Sequence, residues 1–88
     1  MTYSVEYTKS AIKELRKLDS NTRKLLLSWI EKNLVNCSNP RAHGKALRGD
    51  KSDQWRYRVG DYRILANIQD DKVVILVLKV GHRREIYE

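Results

Sequence analysis

The spacing of apolar and polar residues changes several times along the chain, and each change marks an element. Residues 2–7 alternate, with Tyr3, Val5 and Tyr7 set against Thr2, Ser4 and Glu6, the period of a half-buried strand. The period then lengthens. Ala11, Leu15 and Leu18 recur at i, i+4 and i+7 among Lys13, Glu14, Arg16 and Lys17, which predicts an amphipathic helix capped by Thr8 or Ser10. Asp19-Ser20-Asn21 is a cluster of capping residues that ends this helix and opens a second. There Leu26, Ile30 and Leu34 form the apolar stripe, widened by Leu27, with Leu25 and Trp29 beside it. This helix is expected to end near Asn36. So short a break between the two predicts a helical hairpin with one apolar side.

Periodicity is absent from residues 37–53, where Asn39-Pro40, Gly44 and Gly49-Asp50 punctuate the chain. A connection of about 15 residues is longer than most in a compact domain, so it is expected to be functional or mobile. Ala46-Leu47 could tack it down. Trp55-Arg56-Tyr57-Arg58-Val59 then alternates strictly, and Gly60-Asp61 suits a primed hairpin turn into a strand over residues 62–68. Asp70-Asp71 separates that strand from residues 72–80, which are apolar on both faces and are expected to form the most buried strand. The order is β-α-α-β-β-β. It predicts an α+β fold, a helical hairpin on one face of a small, twisted, mostly antiparallel sheet, as one domain over residues 1–88.

Charge narrows the class of partner. The 88 residues carry 18 Lys+Arg and 11 Asp+Glu, a formal net charge of +7. Both halves are basic, with 7 cations and 4 anions through Pro40 and 11 and 7 after it. A basic globule of this size carries the electrostatic footprint of nucleic-acid binding. No run approaches the ~20 apolar residues of a membrane span, and no signal peptide is expected. One cysteine, Cys37, cannot form an internal disulfide, and with only two histidines no zinc cluster is expected. A reducing, cytoplasmic compartment fits best, with no metal, cofactor or membrane partner.

The hairpin concentrates the charge. With a two-residue turn, Val59 pairs with Tyr62, Arg58 with Arg63, Tyr57 with Ile64 and Arg56 with Leu65. Trp55, Tyr57, Val59, Tyr62 and Ile64 then share the face that seats the helices, and Arg56, Arg58 and Arg63 share the other. Like charges directly opposite on adjacent strands are destabilising. Their presence points to an anion held there, and a one-residue slip would separate them. After residue 80, the segment Gly81-His82-Arg83-Arg84-Glu85-Ile86-Tyr87 could bring Arg83 or Arg84 back over the arginine face. Beside arginines, the Tyr87 phenol would be a better base than its ordinary pKa of about 10 allows. Neither a Gly-rich phosphate loop, a Ser/His/Asp set nor paired carboxylates is identifiable by spacing. What remains is phosphate chemistry run by guanidiniums, for which RNA supplies its own 2′-hydroxyl nucleophile.

Lys45-Ala46-Leu47-Arg48-Gly49, Trp55-Arg56-Tyr57-Arg58-Val59, Gly60-Asp61-Tyr62-Arg63 and the segment from Val80 through Tyr87, taken in order, resemble the RelE/ParE superfamily of bacterial type II toxin–antitoxin toxins, and its RelE branch in particular. The resemblance implies a metal-independent, ribosome-dependent endoribonuclease. Such an mRNA interferase cleaves mRNA in the A site by 2′-hydroxyl attack, leaving a 2′,3′-cyclic phosphate. It implies phosphate and transition-state contacts from Arg63 and Arg83 and a base in Tyr87. Arg56 and Arg58 stand where such toxins often carry lysines. Arginine gives up a proton poorly, so Arg58 is expected to help electrostatically. His82 is a candidate acid, or simply a surface histidine, and His43 is expected to be incidental. The candidate catalytic set is thus Arg58, Arg63, Arg83 and Tyr87, and the RNA-binding set Lys45, Arg48, Arg56, His82 and Arg84. The implied partners are a cognate RelB-like antitoxin, the ribosome with its mRNA, and operator DNA through the antitoxin. Two other readings stay open: a ParE-like gyrase inhibitor without nuclease chemistry, and an RNA-binding module without catalysis.

Overall fold

The computed structural model describes residues 1–47 and 54–86. The chain runs β1 (Ser4–Tyr7), α1 (Lys9–Lys17), α2 (Ser20–Asn33), β2 (Lys45–Ala46), β3 (Gln54–Val59), β4 (Tyr62–Gln69) and β5 (Val74–His82), with one turn of 3₁₀ helix at Pro40–Ala42. The sheet order is β1-β5-β4-β3-β2. β1 lies parallel to β5 and every other pair is antiparallel. This is the expected α+β arrangement, two helices over a mixed sheet.

Local chemistry starts both helices. The Thr8 hydroxyl accepts from the Ala11 N–H at 3.0 Å and donates to the Leu78 carbonyl at 3.0 Å, so one side chain caps α1 and ties it to β5. Asp19 caps α2 by accepting from the Thr22 N–H at 3.1 Å. α2 ends at Asn33, short of the expected Asn36. Asn36 takes a left-handed φ of 62°, and its N–H donates to the Tyr3 carbonyl at 2.9 Å, turning the chain alongside β1.

Leu26, Ile30 and Leu34 join Ala11 and Leu15 over Tyr57, Ile64, Ala66, Ile75, Val77 and Val80 in one core. Leu27 is 39% exposed and Leu25 56%, so the apolar stripe of α2 is narrower than its sequence implies. Each residue advances about 100° around a helix, and Leu27 therefore leaves the line that meets the sheet. β4, not β5, is the most buried strand: Arg63, Ile64, Leu65 and Ala66 are buried in succession. β4 is the middle strand, whereas β5 exposes Lys79 and shifts register between Leu65↔Lys79 and Ala66↔Val77.

The described part of the long connection, residues 37–47, is built rather than loose. Two alternate residues of β3 hold it: the Trp55 indole donates to the His43 carbonyl at 2.6 Å, and the buried Tyr57 hydroxyl donates to the Pro40 carbonyl at 2.7 Å. Burial pushes the Tyr57 phenol up, so it remains a donor. Gly44 sits at φ +79°, where a Cβ would overlap the Arg56 carbonyl, and the chain then pairs as β2 through Lys45↔Arg56 and Ala46↔Trp55. Among the described residues, no helix is long and apolar enough to cross a membrane.

Candidate functional site

Gly60 opens the β3–β4 turn at φ +60°, as a two-residue II′ turn requires. The register is the one the alternation predicts: Val59↔Tyr62, Arg58↔Arg63, Tyr57↔Ile64 and Arg56↔Leu65. Tyr57, Val59 and Ile64 enter the core under the helices, which leaves Arg56, Arg58 and Arg63 on the opposite face. Pairing extends that face on both sides. One row across the sheet reads Lys45, Arg56, Leu65, Lys79 and the next reads Arg58, Arg63, Gly81.

Burial divides these cations. Arg56 is 5% exposed and Arg63 6%, while Lys45, Arg58 and Lys79 are exposed. The Arg63 guanidinium is held in place, its Nη1 donating to the carbonyls of Gly60 at 3.1 Å and Tyr62 at 3.0 Å. Arg83 comes to the same turn from β5: its N–H donates to the Asp61 carbonyl at 2.7 Å, and its Nε lies 3.9 Å from Asp61 Oδ1. That ion pair is long and exposed, so it orients Arg83 without neutralising it strongly. The Gly60–Asp61 turn is the hub on which Arg63 and Arg83 converge. Asp61 reads in the sequence as a turn residue only, because its contact with Arg83 is made across two strands.

The end of the described chain folds over this face. Gly81 stands opposite Arg63, and a Cβ there would come within 3.3 Å of Ile86. Ile86 is buried with Leu47 and Leu65, so a small apolar cluster pins the return of residues 83–86. No sequence signal marks Ile86 for this. His82 goes elsewhere: it pairs with Tyr62 and packs edge-on against its ring, centroids 5.4 Å apart, on the helix side of the sheet. Its Nδ1 accepts from the Arg84 N–H at 3.2 Å. Arg84 is exposed. Arg48 and Tyr87 lie outside the described residues. Among those described, no group of three His, Cys, Asp or Glu side chains is placed to hold a metal ion.

Guanidiniums gathered around one turn are groups that could together hold an oxyanion such as a phosphate diester. Residues 5–87 match the family described as ParE toxin of type II toxin-antitoxin system, parDE. The chain is 35% identical over 91 residues to the mRNA interferase toxin RelE of Escherichia coli K12, covering 99% of this chain and 92% of that one. It is 33% identical over 88 residues to Toxin RelG of Mycobacterium tuberculosis, covering 99% and 98%. Among solved structures, the toxin–antitoxin complex RelBE2 of M. tuberculosis matches with a TM-score of 0.85 at 29% identity, over 94% of this chain and 93% of that one. A double arginine-to-alanine mutant of E. coli RelE in the free state matches with a TM-score of 0.76 at 31% identity, over 97% and 87%.

Proposed function

The chain belongs to the RelE/ParE family of type II toxin–antitoxin toxins, with RelE-like relatives, and we propose that it is an endoribonuclease that cuts mRNA on the ribosome. The observation that carries this reading is Arg58 set directly opposite Arg63, with Arg83 tied to the same turn. Like charges directly opposite on adjacent strands repel, and this pairing groups positive charge where a scissile phosphate would lie.

In this reading the 2′-hydroxyl of the preceding nucleotide attacks the phosphorus. The new P–O2′ bond closes a 2′,3′-cyclic phosphate, and the P–O5′ bond breaks, its electron pair leaving on the 5′-oxygen, which takes up a proton from water. Tyr87 takes the proton of the 2′-hydroxyl. Arg63, pre-positioned by two carbonyls, presents an edge of its guanidinium to a non-bridging oxygen, and Arg83 takes the other. Arg58 stabilises the charge that develops. No reorganisation of Arg63 is needed as that charge forms, which is where preorganised donors are most effective. His82, turned toward Tyr62, is not assigned the acid's role. Lys45, Arg48, Arg56 and Arg84 hold the RNA backbone.

The partners follow from the relatives, several of which were solved as RelB–RelE complexes. A RelB-like antitoxin would neutralise this chain by covering the face crossed by residues 83–86, and would carry it to operator DNA. Induced expression followed by mapping of RNA 5′ ends tests the whole reading. We expect codon-positioned cuts in translated mRNA that vanish in Arg63→Ala and Tyr87→Phe. The family description also names ParE. Growth arrest without RNA cuts, with stalled gyrase cleavage complexes and with toxicity retained in both variants, would establish gyrase inhibition instead.

A further inference from the structure

Where β3 runs on past β2, a cleft of about 440 Å³ is lined by Trp29, His43, Gly44, Lys45, Arg56 and Arg58. That volume lies within the roughly 300–1,000 Å³ of small-ligand sites. It is the place where cations of the open face meet aromatic rings of the helix side. His43 is exposed, yet its carbonyl is fixed by the Trp55 indole. Its ring stands edge-on to Trp29, centroids 5.8 Å apart, and Trp29 in turn leans on the buried Tyr57 at 5.6 Å. Gly44, locked against the Arg56 carbonyl, holds the corner. The aromatic wall is therefore in place before any ligand arrives.

We infer that this cleft is a nucleotide subsite, taking a nucleobase against Trp29 and His43 and its phosphate on Lys45 and Arg58. The inference rests on the endoribonuclease reading and extends it with a second RNA contact beside the cut. Aromatic faces next to a cationic groove are how single strands are held with little sequence readout, because every base has a π-face. Arg58 belongs to both places, lining the cleft and facing Arg63 across the hairpin. A strand whose scissile phosphate lies by the Gly60–Asp61 turn thus has its neighbouring nucleotide led over Arg58 into the cleft. His43, which no spacing in the sequence singles out, becomes a specificity residue.

Titration of the intact protein tests this, followed by fluorescence of its two tryptophans and by NMR shifts of the His43 ring. Adenosine and uridine 5′-monophosphates should bind at least 10-fold more tightly than inorganic phosphate. His43→Ala should weaken both nucleotides 5- to 10-fold, leave phosphate binding unchanged and leave the melting temperature unchanged. On translated mRNA, the same variant should flatten the nucleotide preference next to the cut. Equal affinity for nucleotide, phosphate and hexaglutamate would overturn the subsite by reducing it to a general anion patch. So would RNA cutting whose preference and nucleotide affinity are both indifferent to His43→Ala. A wild-type protein that binds nucleotides through His43 but never cuts RNA would keep the subsite and sink the nuclease reading.

Discussion

On the helix side of the sheet, Tyr57, Ile64, Ala66, Ile75 and Val77 are wholly buried beneath α1 and α2. On the other side the same strands carry Arg56, Arg58, Arg63 and Lys79, and the described apolar cover is the small cluster of Leu47, Leu65 and Ile86. The two sides share a backbone and differ by one residue of phase. A strand's period of two lets one hairpin serve two demands at once: alternate residues exclude water and hold the fold, while their neighbours collect charge that the fold alone would not choose. Substitutions should therefore differ in kind, with stability lost mainly on one side and chemistry mainly on the other.

The largest effect is expected from Leu26→Ala, which empties a fully buried position under the sheet. It should destabilise the protein by about 2–5 kcal/mol, read by urea unfolding, and a loss below 1 kcal/mol would mean that the helices are not what holds the sheet. Arg63→Ala is its counterpart across the strand. Removing a charge-stabilising donor should lower RNA cutting roughly 10²–10³-fold. Arg63 is itself buried and donates to the Gly60 and Tyr62 carbonyls, so unfolding should also be weakened, by about 1–3 kcal/mol. A large stability loss with cutting intact would reverse the assignment of the two sides. Tyr57→Phe touches both, since it strips the Pro40 carbonyl of its donor. It should cost about 1–3 kcal/mol and loosen the corner that presents His43.

Smaller effects sharpen the contrast. A double-mutant cycle on Arg58 and Arg63 should return a repulsive coupling of about 0.5 kcal/mol in unfolding experiments, shrinking as salt is added. An attractive coupling would remove the argument that this pairing opposes the fold. The smallest expectation concerns Asp70, which accepts both Arg41 guanidinium nitrogens at 3.0 and 2.9 Å and the Tyr3 hydroxyl at 2.6 Å. The hydrogen bonds from Arg41 and then from Tyr3 hold its carboxyl down from an ordinary 3.8 to about 2. A carboxyl depressed in the folded state stabilises fully above the unfolded pKa and stops doing so as pH falls through the folded one. The melting-temperature gap between wild type and Asp70→Asn should thus be constant above about pH 4 and close by about pH 2.

The hairpin register and its arginine face were legible in the residues, because a two-residue turn with glycine first and strict alternation are local rules. The helix caps were legible for the same reason. Residues 40–46 were less so: their anchors are Trp55 and Tyr57, more than ten positions away, and nothing in the segment itself announces a 3₁₀ turn and an edge strand. The burial of β4 ahead of β5 also escaped, since apolar content on both faces of a strand says nothing about whether a neighbour covers it.

By itself, then, the sequence determined the elements, the turn, the phase of each strand and the sign of the charge. Tertiary structure decided which cations are buried, that Arg83 meets Asp61, that His82 turns to Tyr62 and that His43 meets Trp29. The difference is one of range. Periodicity and capping act over a few residues, whereas β1 docks on β5, and Thr8 reaches Leu78, across some seventy positions of chain. Such contacts depend on how whole elements pack, and no short window of residues encodes that.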